Sequence, residues 1–234
     1  MLDKKVTRLK KQRIMFKKLL FLVVLFIASM SVSAQSFDRG NNTVQTTGWS
    51  SAYLEWSPGS WIVDGLVAPY NGYALGFSHA FAFSSTSPVL AEVGLAGQYT
   101  YYSDSETVDE AQLKERITLV SLKAPLNLVY NLDFPNRPVA LLPYVGVTAR
   151  GNFWGEMKQW VDGEPFGRYS DLFDKTEMGG KENVWKHFQI GWQIGMKVRF
   201  SNRIIIGAGY SADFNRLASN VKSRAGSISV GLSF

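Results

Sequence analysis

Over residues 184–200 the chain alternates, and every second side chain from Phe188 on is apolar. Phe188, Ile190, Trp192, Ile194, Met196, Val198 and Phe200 fall on one face; His187, Gln189, Gly191, Gln193, Gly195, Lys197 and Arg199 fall on the other. A period of two places successive side chains on opposite faces of a β-strand, whereas an amphipathic helix needs a repeat near 3.6. The same alternation recurs along the chain. Ile204, Ile206, Ala208, Tyr210, Ala212 and Phe214 oppose Gly207, Gly209, Ser211 and Asp213. Residues 89–102, 117–132 and 139–154 repeat it, and weaker segments lie at about 49–57, 72–83 and 224–234. Eight strands are expected.

Eight alternating strands can form a soluble sandwich or barrel with the apolar face inward, or a membrane barrel with that face toward lipid. Three features favour the second. The polar face is built of Gly, Ser, Ala, Gln and Thr with single charges between them, which suits a crowded lumen. Connections alternate in length: 84–88, 132–137 and 201–202 are short, while 58–71, 103–115, 155–183 and 216–223 are long. Aromatics cluster at strand ends, with Trp56, Tyr101, Tyr102, Trp154, Trp185 and Phe214 toward the long loops and Phe83, Tyr130, Phe200 and Phe234 toward the short turns. Short turns on one side, longer loops on the other and two aromatic girdles are the plan of outer-membrane barrels. The expected fold class is therefore all-β, an eight-stranded antiparallel up-and-down transmembrane β-barrel.

Charge points to export. The 234 residues sum to +6, but residues 1–34 carry eight Lys/Arg and one Asp, which is +7, leaving −1 for the remainder. The basic excess is confined to the N-terminus, so the rest has no footprint for nucleic acid. Basic residues up to Lys18 precede an apolar run from Leu19 to about Ala28, and Val32-Ser33-Ala34 has the small-residue form that a signal peptidase reads. A cleaved signal peptide over 1–34 is expected, with cutting between Ala34 and Gln35. A short segment at 35–47 and a barrel domain over 48–234 would follow. Met15-Phe16-Lys17-Lys18-Leu19 begins a complete signal by itself, which points to translation from Met15. The absence of cysteine rules out disulfides, thiolate zinc sites and thiol catalysis.

Several short elements carry a family resemblance: Ala124-Pro125-Leu126-Asn127-Leu128-Val129-Tyr130, Pro143-Tyr144-Val145-Gly146, Gly207-Ala208-Gly209-Tyr210, and the terminal Val230-Gly231-Leu232-Ser233-Phe234. The chain over 48–234 resembles the PorT-like outer-membrane β-barrel domain family, itself similar to the small OmpA/OmpX-type barrels. Thr148 stands where a second glycine usually follows the Pro-Tyr-x-Gly element. The resemblance implies an accessory role in protein secretion, and it makes Phe234 similar to the C-terminal signal read by barrel-insertion machinery.

By parity the inward set contains Glu55, Glu92, Lys123, Arg150, Lys197, Arg199 and Asp213. Side chains fill an eight-stranded barrel, so these groups are expected to pair with one another, and Glu92 and Lys123 lie on neighbouring strands. No catalytic constellation has diagnostic spacing. His187 has Ser170 and Glu182 near it in sequence only, and parity puts His79 on the lipid face unless a bulge rotates it inward. The acidic loop 155–183 lacks EF-hand spacing, so neither metal nor cofactor is expected. The sequence thus predicts a non-enzymatic barrel with a structural or partner-docking role. Its expected partners are outer-membrane lipid, the insertion machinery during biogenesis, and an extracellular or periplasmic protein met through the loops. A small gated channel and a lipid-modifying enzyme are the rival readings.

Overall fold

The structure, a computed structural model, describes residues 48–63, 65–108, 110–134, 138–174, 176, 178, 184–201 and 203–234. The expected signal peptide, the Ala34/Gln35 cleavage point and the 35–47 segment lie outside the described residues. Eight long strands form the wall: β1 (Trp49–Val63), β2 (Leu66–Ala82), β3 (Val89–Val108), β4 (Ala111–Tyr130), β6 (Val139–Val161), β8 (Phe188–Phe200), β9 (Ile204–Asp213) and β10 (Val221–Ser233). Each pairs antiparallel with its neighbours, β1 meets β10, and β4 pairs directly with β6. Every wall strand therefore has two partners, and the sheet closes without an edge. Two short strands sit outside the wall, β5 (Leu132–Asp133) and β7 (Glu164–Tyr169), both on β6.

The closing seam runs to the last residue. Phe234 and Ser50 exchange main-chain hydrogen bonds of 2.9 and 3.0 Å, and the Phe234 ring lies 5.9 Å from that of Phe77.

The outer wall is apolar. Leu75 is 66% exposed and Leu232 62%, along with Leu54, Leu126, Val145, Ile194, Ile206 and Val230. In water this surface would cost about 25 cal/mol for every Å² left uncovered, whereas lipid accepts it. On β4 the outward apolar run from Val120 to Tyr130 covers ten residue steps. At about 3.4 Å per residue and a tilt near 40° that is roughly 26 Å, the height of a membrane barrel's lipid band.

The strands overrun the expected boundaries at the long-loop end. Residues 58–71 and 103–115 are not loops: β1 and β2 pair through Val63 and Leu66 around Gly65, which has φ of 89°, and β3 and β4 pair out to Val108 and Ala111. The cause is composition. Ser103, Asp104, Ser105, Glu106 and Thr107 are polar on both faces, so hydropathy stops alternating although backbone pairing continues. Residues 155–169 likewise form the end of β6, a turn at Asp162 and Gly163, and β7, while 184–187 precede β8 rather than belonging to it.

One β-bulge changes the reading of β6. Val120 pairs with Trp154 and Ser121 with Asn152, so Phe153 is the extra residue, and both Phe153 and Trp154 face outward. An extra residue inverts the parity beyond it. Glu156, Lys158 and Trp160 consequently lie on the outer face and Met157 on the inner.

Inside, apolar layers cap both ends. Toward the long loops Trp61, Tyr70, Ile117, Leu119, Leu172, Trp185, Leu217 and Val221 pack together. Toward the short turns Trp49, Leu90, Val129, Leu142 and Ile205 do the same. Glycine serves close approach here: a Cβ on Gly195 would lie 2.4 Å from the Ala208 carbonyl oxygen and 2.5 Å from the Tyr144 hydroxyl, which lies across β8 and β9. Gly195→Ala is therefore expected to cost about 1–3 kcal/mol through overpacking, read as a lower unfolding midpoint. An unchanged midpoint would show that both the Tyr144 side chain and the Ala208 backbone give way freely.

Candidate functional site

The lumen between the two apolar caps holds the charged side chains that parity aims inward. Strand register decides which of them meet. On β4, Asn127 and not Lys123 lies opposite Glu92; Lys123 lies opposite Ala96, farther along β3. Glu92 and Lys123 lie on neighbouring strands, but four residues of stagger keep them from pairing with each other, which corrects the expected pair. Glu92 instead receives the Lys197 ammonium across the barrel at 2.6 and 2.7 Å, and Asn127 donates to the same carboxylate at 3.1 Å. Gln193 donates to the Asn127 side-chain oxygen at 2.5 Å, and Lys197 Nζ stands 5.3 Å from the centre of the Tyr144 ring. Lys123 pairs with Glu55 at 2.8 Å.

Nearer the long loops Arg150 forms a second node. Its Nη2 bonds Asp213 at 2.5 Å and its Nε donates to Gln189 at 3.0 Å. Gln189, fully buried, passes a hydrogen bond to Asp213 at 2.7 Å and accepts one from Asn152 at 3.2 Å. Such bonding offsets the cost of removing ions from water, which an unpaired charge could not do. Arg199 stands apart at the short-turn end, 3.7 Å from Asp133 and stacked 4.2 Å over Trp49. Between the Glu55 and Glu92 pairs lies a cavity of about 40 Å³, bordered by Tyr53, Tyr144 and Ser229. It has room for a few waters, at about 10–15 Å³ each.

The mouth above this network is stitched shut by main chain. Leu172 donates to the Gly155 carbonyl at 3.1 Å, Trp185 to that of Leu172 at 3.0 Å, and Lys186 to that of Leu217 at 2.7 Å. The Trp61 ring contacts Tyr70 at 4.9 Å and Trp185 at 5.1 Å. Sequence reasoning missed this layer because it looked for polar side chains inside. The signal that would have found it is the odd-numbered parity of β1 carried on through Trp61.

Neither histidine joins a catalytic set among the described residues. His187 is exposed, donates from Nδ1 to the Asn152 carbonyl at 3.0 Å, and stacks on Phe173 at 4.4 Å. His79 pairs in continuous register with Ser50 and Val93, so no bulge turns it inward. Its Nδ1 lies 2.8 Å from the Ser50 hydroxyl, which explains how an imidazole is accepted on that face. No group of carboxylates and histidines suited to a metal occurs among the described residues.

Three solved outer-membrane proteins are similar to this chain at low identity. The attachment invasion locus protein Ail of Yersinia pestis, crystallised with the heparin analogue sucrose octasulfate, is 15% identical over 81% of this chain and all of its own, with a TM-score of 0.46. Neisserial surface protein A is 16% identical over 79% of this chain and 95% of its own, with a TM-score of 0.40. The outer membrane enzyme PagL is 17% identical over 77% and 98%, with a TM-score of 0.43. No curated protein matches the chain. A family model for the outer membrane protein beta-barrel domain matches residues 20–234. This closed, lipid-faced barrel belongs to the outer membrane protein beta-barrel domain family and is located in the outer membrane.

Proposed function

We propose that the protein is a non-enzymatic outer-membrane barrel that docks partners through its outer end, in the manner of a PorT-like accessory to protein secretion. The observation that carries this reading is the pair of apolar caps, with charge-paired side chains between them. A lumen built in this way stabilises a scaffold rather than a passage. The extended hairpins beyond the lipid band, where Leu66 and Phe166 are each 76% exposed, supply a surface for a protein partner. Glu55, Glu92, Lys123, Arg150, Lys197, Arg199 and Asp213 act in this proposal as structural ions, and Phe234 as the insertion signal. Deleting the gene is expected to strand exported cargo in the periplasm and leave outer-membrane lipids chemically unchanged. An intact set of secreted proteins would overturn the secretion role, and altered lipid acylation would favour an enzyme.

Two biogenesis steps belong to the same proposal. Residues 1–34 are removed on export, so N-terminal sequencing of the outer-membrane product should begin at Gln35; recovery of the basic leader would contradict this. Deleting Phe234 removes the Ser50 backbone pair and the last outward aromatic of the seam. The deletion should lower the yield of heat-modifiable, protease-resistant barrel. Unchanged assembly would exclude Phe234 as a signal.

A further inference from the structure

A row of like charges crosses the outer face above the lipid band. Arg116 on β4 lies opposite Lys158 on β6, and Lys158 lies opposite Arg168 on β7. Directly opposed residues in an antiparallel pair hold their Cβ atoms about 4.5–5.5 Å apart, so like charges there repel. Lys114, two residues farther along β4, is exposed on the same face opposite Trp160. Glu156 answers part of this charge, bonding Arg168 at 2.6 Å and Lys158 at 3.1 Å. Among the described residues of this face four cations stand against one carboxylate and leave a positive patch, while Asp104, Glu115 and Glu164 lie on the opposite face.

Arg116 is held as if for an anion. Its guanidinium carbon lies 5.6 Å from the centre of the Tyr101 ring and 5.5 Å from that of Trp160, and its buried Nε has no hydrogen-bond partner. Ring contacts fix the plane of a guanidinium and leave its edge donors to meet phosphate or carboxylate.

Position selects the ligand. From Val120, the last outward aliphatic rung of β4, to Arg116 is four residues, roughly 10 Å of height at about 3.4 Å per residue and a tilt near 40°. Headgroups add about 5–8 Å to each side of the hydrocarbon core, so the row's backbone stands just outside that layer, and long Lys and Arg side chains span the remaining few ångströms, as Lys158 does in bonding Glu156 one rung nearer the lipid band. At the other end of the wall the outward side chains Tyr130, Phe200, Ile204, Leu232 and Phe234 carry no charge. The patch therefore addresses one leaflet.

We propose that the outward face of β4, β6 and β7, through Lys114, Arg116, Lys158 and Arg168, binds the phosphate groups of a lipid headgroup in the outer leaflet. This rests on the membrane placement of the barrel and not on its secretion role. The test is native mass spectrometry of the purified barrel in detergent with two probes, lipid A bearing its phosphates and the same glycolipid dephosphorylated. Wild type should retain the phosphorylated form more tightly by about tenfold or more, the worth of one charge-assisted hydrogen bond. The K114Q/R116Q/K158Q/R168Q variant should lose that preference while keeping its heat-modifiable mobility. Should that variant not fold, R116K keeps the charge but gives up the flat fork, and should weaken retention several-fold. Equal retention of the two lipids, unchanged retention by the variants, or displacement of the lipid by millimolar inorganic phosphate would each overturn the proposal.

Discussion

Replacing Glu92 by alanine is expected to destabilise the refolded barrel by about 3–5 kcal/mol, the cost of stranding one member of a buried ion pair. The Glu92 side chain is 4% exposed and that of Lys197 17%, and three hydrogen bonds converge on the carboxylate. Removing it leaves the Lys197 ammonium in the lumen without its ion pair, 5.3 Å from the centre of the Tyr144 ring. Replacing the two together, Glu92 by Gln and Lys197 by Met, should recover much of the loss, because the stranded charge is then gone. The same double change made with Lys123 in place of Lys197 should not, since Lys123 serves Glu55. The readout is the urea midpoint at constant slope for wild type, each single variant and both doubles. A Glu92→Ala midpoint equal to wild type would mean that lumen water screens the pair to the 0–1 kcal/mol of an exposed one.

Truncating Trp61 to alanine should cost a similar amount, about 3–5 kcal/mol, for a different reason. The ring is 3% exposed and lies within 6 Å, centre to centre, of Tyr70, Tyr102 and Trp185. Its removal leaves a cavity that Leu172 and Trp185 can fill only by breaking the main-chain bonds that hold them over the mouth. Trp61→Phe should lose much less, because a second ring still fills part of the space. If alanine and phenylalanine cost equally little, the mouth layer repacks at will and does not seal the barrel.

The faces of the wall were legible in the sequence because lipid imposes a strict rule. Leu54, Leu75, Leu126, Ile194, Ile206 and Val230 all stand where period two puts them, and all are exposed on the outer wall. The lumen was legible only as a set of residues. Which carboxylate meets which cation depends on strand stagger, and a shift of four residues separates Lys123 from the rung of Glu92. The Glu92–Lys197 contact also crosses from β3 to β8, a distance that no local pattern encodes. Local composition hid the outer extension as well, since Ser103 to Thr107 pair as a strand without alternating in hydropathy. The bulge at Phe153 was invisible for a related reason: two adjacent outward aromatics look like ordinary girdle residues until the pairing on both sides is known. Without that inversion Lys158 would be assigned to the lumen, and the basic row on the outer face would not exist.

A sealed lumen can be tested in a single measurement, the conductance of the purified barrel reconstituted in planar bilayers. With Trp61, Leu172 and Leu217 closing one end and Leu90, Val129 and Leu142 closing the other, wild type should show no steady single-channel steps across the voltage range that the bilayer tolerates. Reproducible openings of uniform size in wild type would contradict the closed scaffold and make the polar cavity between Glu55 and Glu92 part of a pathway.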